Sequence, residues 1–205
     1  MKKYLAALTA TAQIGVAPFA LAASTTDLTV TGLITPSACT PNLSSGGKVD
    51  NGKIPIKDLN LTKDTQLATK TLQLSIACNA PMLFALDSTD NKAGTGSSDW
   101  FGLGLTDAGE KIGFVYLAGQ NPVADGADVR MIESEDDGVS WSPKTWLRHD
   151  SLSAFAASTG TIEPIFIKDL AMDLEVTTFI ARADSLTLTD DVILDGSATI
   201  EVKYL

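Results

Sequence analysis

The residues of this chain that could do acid–base or metal chemistry are few. The only histidine is His149, which lies between Arg148 and Asp150 in a polar stretch. A single imidazole excludes most histidine-containing metal sites and disfavours a Ser-His-Asp triad. We expect His149 to be exposed and unspecialised, and we expect no metal and no cofactor.

Acidic residues that lie close together in the sequence occur in two short stretches with the character of turns, 133–138 (ESEDDG) and 190–191. Neither stretch has the alternating oxygen-ligand spacing of a calcium loop. Solvated turns are therefore favoured over cation sites. A hydrolase that uses paired carboxylates is disfavoured for the same reason, and we expect the protein not to be an enzyme.

Two tryptophans, Trp141 and Trp146, flank Pro143 in a stretch with no regular pattern. Aromatic rings pack on the apolar faces of sugars, so the pair could contact a carbohydrate such as a host or surface glycan. A role in the core or in anchoring a loop is the alternative.

Residues 1–22 have the pattern of a secretory signal peptide. Lys2 and Lys3 precede a short apolar stretch, and residues 20–22 (ALA) match a small-x-small cleavage site. The mature chain is predicted to begin at Ala23 and to be exported. No other segment is apolar and long enough to span a bilayer.

Export would place the two cysteines, Cys39 and Cys78, in an oxidising compartment. Their spacing is too wide for a Cys-x-x-Cys redox motif, and they lack companions for a zinc site. A disulfide is favoured over two buried thiols. Closing a loop of this length would stabilise the fold by about 4 kcal/mol in the chain-entropy model.

The chain has 205 residues and a formal charge of −10, which becomes −12 once the two signal-peptide lysines are removed. An acidic surface argues against nucleic acid and anionic membranes as partners. No repeat or linker divides the mature chain, so residues 36–205 are predicted to form one domain after an extension at 23–35.

Period-two alternation, the signature of a strand with one buried face, marks three stretches most clearly: 27–35, 71–78 and 197–205. Residues 100–117 are predicted to form a hairpin and 53–57 an edge strand interrupted by Pro55. Residues 120–126 are predicted to be a loop, and 151–159 a short helix or a loop. The expected class is all-β.

The chain resembles subunits of bacterial chaperone–usher fimbriae in four features. These are the signal, the alternating segment before Cys39, the apolar strand that ends at Cys78, and the closing strand with penultimate Tyr204. The chain is most similar to a group of uncharacterised fimbrial-like exported proteins. The resemblance covers most of the mature chain but not residues 129–161.

The resemblance implies an immunoglobulin-like (pilin-type) β-sandwich that lacks its last strand. A periplasmic chaperone would fill the open groove first. At the outer-membrane usher, the N-terminal extension of a neighbouring subunit would then replace the chaperone. The implied function is a structural subunit of a surface fimbria that contributes to adhesion, located in the periplasm during assembly and then on the cell surface.

The resemblance also assigns residues to these roles. Leu28 and Val30 would fill pockets as part of the donor strand, with Gly32 at a tight crossing, and Cys39–Cys78 would be the family disulfide. The acceptor groove would be lined by Ala198, Ile200, Val202 and Tyr204. The main alternative is a self-contained periplasmic or surface binding module, for example for carbohydrate, in which residues 27–34 complete the chain's own sheet.

Overall fold

A computed structural model describes residues 38–205. This part of the chain contains twelve β-strands, three short 3-10 turns and no α-helix. It has no helix that is long and apolar enough to cross a membrane. The predicted all-β class is confirmed.

The first six strands are β1 (Cys39–Leu43), β2 (Thr65–Gln66), β3 (Lys70–Met82), β4 (Phe84–Asp90), β5 (Phe101–Gly102) and β6 (Gly113–Ala124). The other six are β7 (Ala127–Ser134), β8 (Ser142–Pro143), β9 (Trp146–Leu147), β10 (Leu152–Ala157), β11 (Ile167–Ile180) and β12 (Ala198–Tyr204). The 3-10 turns span Ser44–Gly47, Ile56–Asp58 and Ala183–Ser185.

Eight of the strands form one antiparallel path in the order β1-β3-β11-β6-β7-β10-β4-β12. The four short strands attach at its side, β2 to β11, β5 and β9 to β6, and β8 to β7. The path therefore begins at β1 and ends at β12, the last strand of the chain. Its middle is narrow, because β6 and β7 pair through only Val123–Asp128 and Ala124–Ala127.

The core is built from alternating strand positions, as the sequence of β3 predicts. Leu72, Leu74 and Ile76 are buried, whereas the residues between them are exposed. They belong to one hydrophobic cluster with Leu174 of β11 and with Phe84 of β4, from the other half of the path. Burying a side chain of this size stabilises the fold by about 1.5–3 kcal/mol.

The predicted disulfide between Cys39 and Cys78 is confirmed. The two cysteines lie directly opposite each other in the β1–β3 ladder. The bond therefore fixes one end of β1, a strand of only five residues, to the long strand β3.

Three local predictions are wrong. Residues 53–57 form no strand, and the segment enters a 3-10 turn directly after Pro55. The predicted loop at 120–126 is largely strand, because β6 continues to Ala124. Residues 152–157 are strand β10 rather than a helix or loop. Five consecutive β10 residues are buried, and a strand covered on both faces shows no alternation.

Replacing both cysteines, as Cys39→Ala with Cys78→Ala, should lower the free energy of unfolding by about 2–4 kcal/mol, because the unfolded chain regains the entropy of the closed loop. Urea unfolding of the oxidised protein measures the loss. Reducing agent should destabilise the wild type and leave the double variant unaffected. Equal stability of wild type and variant would contradict a structural role for the bond.

Candidate functional site

An open groove with a cavity of about 270 Å³ lies between two segments that flank the sheet path. One wall is formed by residues 43–51, which follow β1. The other is formed by residues 194–198, which lead into β12. The floor comes from the middle of the fold, with Leu72, Phe101, Val115, Leu117, Leu174 and Val176 among its residues.

The floor of the groove is mainly apolar. Leu72, Leu117 and Leu174 come from three neighbouring strands, β3, β6 and β11, and all three are buried in the main core cluster. A polar pair, the Asn51 amide nitrogen and the Thr178 hydroxyl, lies 3.1 Å apart at the side. The groove therefore combines an apolar floor with polar groups along its sides, among them Asn51, Thr178 and Ser197.

Strand β12 reaches the groove through Ala198 and pairs with β4 along one of its edges. All seven of its residues, from Ala198 to Tyr204, pair with β4. Within residues 38–205 no strand pairs with its other edge.

The four residues assigned to the acceptor groove lie along β12. Ala198 lines the cavity. Ile200 and Val202 are half-buried against the main core cluster. Tyr204 is 40% exposed, and its hydroxyl accepts a hydrogen bond of 2.8 Å from the backbone N–H of Cys39.

The contact between Tyr204 and Cys39 brings the two ends of the sheet path together at one point. Leu43, at the far end of β1, and Ala198, at the far end of β12, both line the cavity. The groove is thus closed at the disulfide end of β1 and open between Leu43 and Ala198.

The wall beside β12 is held by polar contacts. The Glu110 carboxylate accepts hydrogen bonds from the backbone N–H of Thr187, at 2.6 Å, and from its hydroxyl, at 2.8 Å. Nearer the groove, Asp195 pairs with Lys92 and its N–H donates to the carbonyl of Leu103 at 2.9 Å. These contacts anchor a segment that contains no strand of its own.

The two hydrogen bonds from Thr187 hold the pKa of Glu110 below its usual 4.5. The bond from the Thr187 N–H has the larger effect, and the bond from its hydroxyl comes second. They favour the ionised carboxylate, so they stabilise the folded protein above the unfolded-state pKa. That contribution is lost as the pH falls through the lower, folded-state pKa.

The residues assigned to the donor strand, Leu28, Val30 and Gly32, lie outside the described part of the chain, as do the predicted signal peptide and cleavage site. Their roles therefore stay predictions.

The two tryptophans considered for carbohydrate contact have different neighbours. Trp141 packs against a small buried cluster that contains Ala85 and Ile132. Trp146 lies in β9 and meets Trp100 edge-on, with ring centroids 6.4 Å apart. Trp100 in turn meets Tyr116, at 4.7 Å. The sequence pattern did not single out Trp100 or Tyr116 as site residues, although alternation in β6 places Tyr116 on the face opposite Leu117.

The acidic stretch is only partly a solvated turn. Glu133 is in β7 and is buried, 2% exposed, where it accepts a 2.7 Å hydrogen bond from Ser151. Asp136 is exposed, and hydrogen bonds from Ser140 and then Ser134 lower its pKa to about 2. The ionised Asp136 carboxylate therefore stabilises the turn through its hydrogen bonds. No group of three or more potential metal-ligating side chains occurs in residues 38–205.

Comparison with known proteins places the chain among relatives that match it over nearly their whole length. A family model described as "Protein of unknown function (DUF1120)" matches residues 28–100. Protein GltF of Escherichia coli (strain K12) is 31% identical in sequence, and the match covers 100% of this chain and 99% of the length of GltF. The chain belongs to the GltF family. Uncharacterized protein YhcF of the same strain is 24% identical, over 93% of this chain and 96% of its own.

The alignment with GltF includes both walls of the groove, because it covers the whole chain. The shorter DUF1120 match includes both cysteines and the wall at 43–51, and it ends before β12. The GltF family can therefore be used to test whether the groove residues vary together.

Replacing Glu110 with glutamine should reduce the melting temperature at neutral pH and make it less sensitive to acid. The wild type should lose this stability as the pH falls from about 4.5 through the lower folded-state pKa, where the carboxylate that binds Thr187 becomes protonated. Thermal unfolding across this range, with Glu163→Gln at an exposed loop position as control, measures the difference. Identical pH profiles for wild type and Glu110→Gln would contradict the proposed anchor.

Proposed function

We propose that this protein is a structural, non-enzymatic subunit of a chaperone–usher surface fimbria, or a fimbrial-like relative of one. The observation that supports this most directly is a groove with an apolar floor at the Ala198 end of β12, a strand whose outer edge has no strand partner within residues 38–205. A groove of this shape is suited to an added β-strand.

Strand addition has two energetic parts. The backbone of the incoming strand would extend the ladder at the free edge of β12, and its alternate side chains would fill the apolar floor over Leu117 and Leu174. Without such a strand, the exposed edge is a site for aggregation. A transient partner that covers the edge before assembly is therefore part of the proposal.

The added strand would also complete a two-layer architecture. The narrow β6–β7 connection divides the path into β1-β3-β11-β6 and β7-β10-β4-β12. Core side chains from both halves, such as Leu74 and Phe155, belong to one cluster. We propose that these halves are the two sheets of an immunoglobulin-like sandwich, and that the missing strand lies between β1 and β12.

The proposed occupant is the extension at residues 23–35 of a neighbouring subunit. Its alternation presents Leu28 and Val30 on one face and Thr29 and Thr31 on the other. In this proposal Leu28 and Val30 fill the floor, and Gly32 allows a close crossing. A periplasmic chaperone occupies the groove first, and exchange occurs at the outer-membrane usher after export, before display on the cell surface.

The donor strand can be tested in the purified mature chain, starting at Ala23. The wild type should form oligomers that increase with concentration and dissociate slowly, as measured by size-exclusion chromatography with light scattering. Leu28→Asp with Val30→Asp should leave monomers, because a charge cannot enter an apolar floor without a large desolvation cost. Thr29→Asp with Thr31→Asp, on the opposite strand face, is the matched control and should still assemble.

The groove can be tested from the acceptor side. Ala198→Trp should fill the cavity and prevent oligomers, whereas Glu201→Trp, on the exposed opposite face of β12, should not. A wild type that is monomeric at every concentration, or donor and control variants that assemble equally, would overturn the proposal. The self-contained binding module would then be favoured.

A further inference from the structure

We propose that Trp100 and the cleft beside it form a carbohydrate-binding site. The cleft lies in the loop between β4 and β5 and has a volume of about 250 Å³. Its polar and aromatic lining includes Ser97, Ser98, Asp99, Trp100, Lys111 and His149. This site does not depend on strand assembly and can act in a monomer or in a polymer.

The aromatic part of the site is a cluster of three half-exposed rings. Trp100 meets Tyr116 edge-on at 4.7 Å and Trp146 at 6.4 Å between centroids. Their mutual packing fixes the rings in place, so little side-chain entropy is lost when a ligand stacks on them. Trp100 belongs both to this cluster and to the wall of the cleft.

The polar part of the site includes two charged side chains, Asp99 and Lys111. The ion pairs formed within residues 38–205 involve neither Asp99 nor Lys111. His149 is exposed, and its ring meets Phe101 edge-on at 5.7 Å. Asp99 can accept and Lys111 can donate hydrogen bonds, which matches the mixed donor and acceptor character of sugar hydroxyls.

The floor of the cleft is rigid. The Asp90 carboxylate is buried and accepts hydrogen bonds from the backbone N–H of Lys92, at 2.8 Å, and of Gly102, at 2.9 Å. These bonds hold the two ends of the 91–100 loop together. A preformed cleft of this kind binds a small ligand at lower entropic cost than a loop that must order.

The charges around the rings favour a sugar over a cationic ligand. Lys144 lies 4.6 Å from the ring centroid of Trp146, and Arg148 lies 5.1 Å from that of Trp100. These side chains already supply the cation that an aromatic face attracts, and they would repel a second one. A concave cleft with polar walls also differs from the apolar centre of a protein–protein hot spot.

The test uses the purified mature wild-type protein and four monosaccharide probes: D-galactose, D-mannose, N-acetyl-D-glucosamine and N-acetylneuraminic acid. Saturation-transfer difference NMR detects binding of each sugar, and its titration gives the affinity. At least one probe should bind saturably. Trp100→Ala should weaken that binding by about fivefold or more, since loss of one stacking ring costs on the order of 1 kcal/mol or above.

Two further variants distinguish a loss of sugar binding from a loss of folding. Trp141→Ala removes the same residue type at a position away from the cleft and should retain binding. Lys111→Ala changes an exposed side chain and should weaken binding without altering the melting temperature. The proposal is overturned if no probe binds, if Trp100→Ala and Trp141→Ala behave alike, or if Trp100→Ala only abolishes self-association, which would indicate a protein interface.

Discussion

The outer edge of β12 is the constraint on which the rest of the structure depends. Its seven residues pair fully with β4 on one side, and on the other no strand within residues 38–205 pairs with it. Backbone N–H and C=O groups need hydrogen-bond partners wherever water is excluded. Leu72, Leu117 and Leu174 form an apolar floor that would exclude water better if it were covered. In the proposed assembly, one added strand would cover this floor and pair with the edge of β12.

The contacts around the groove keep it open at one end and closed at the other. The Cys39–Cys78 disulfide fixes the short strand β1 to β3, and the Tyr204 hydroxyl binds the Cys39 N–H. Glu110 and the Lys92–Asp195 pair hold the opposite wall. A groove that is shaped in advance loses less conformational entropy when a strand enters it. In the proposed acceptor role, the stability of the groove would therefore depend on contacts that lie outside the surface that meets the strand.

Strands with one buried face were predictable from sequence, because alternation reports burial directly. This explains the success at β3 and β12 and the failure at β10, whose two faces are both covered. The disulfide followed from the count of cysteines. The groove wall at residues 43–51 was not predicted. Its sequence has no hydrophobic periodicity, and it lies near β12 only because strands that are distant in sequence pair with one another. Trp100 was missed for a similar reason, since its partners Tyr116 and Trp146 are brought to it by the β6–β9 and β5–β6 ladders.

The most direct test of the account is complementation of the groove by a peptide. A protein that begins at Pro36 would be melted alone and with a peptide that copies residues 25–35. A second peptide with Leu28→Asp and Val30→Asp serves as control. The account predicts a large rise in melting temperature with the first peptide and none with the second. A melting temperature that neither peptide changes would contradict the claim that this groove accepts a strand.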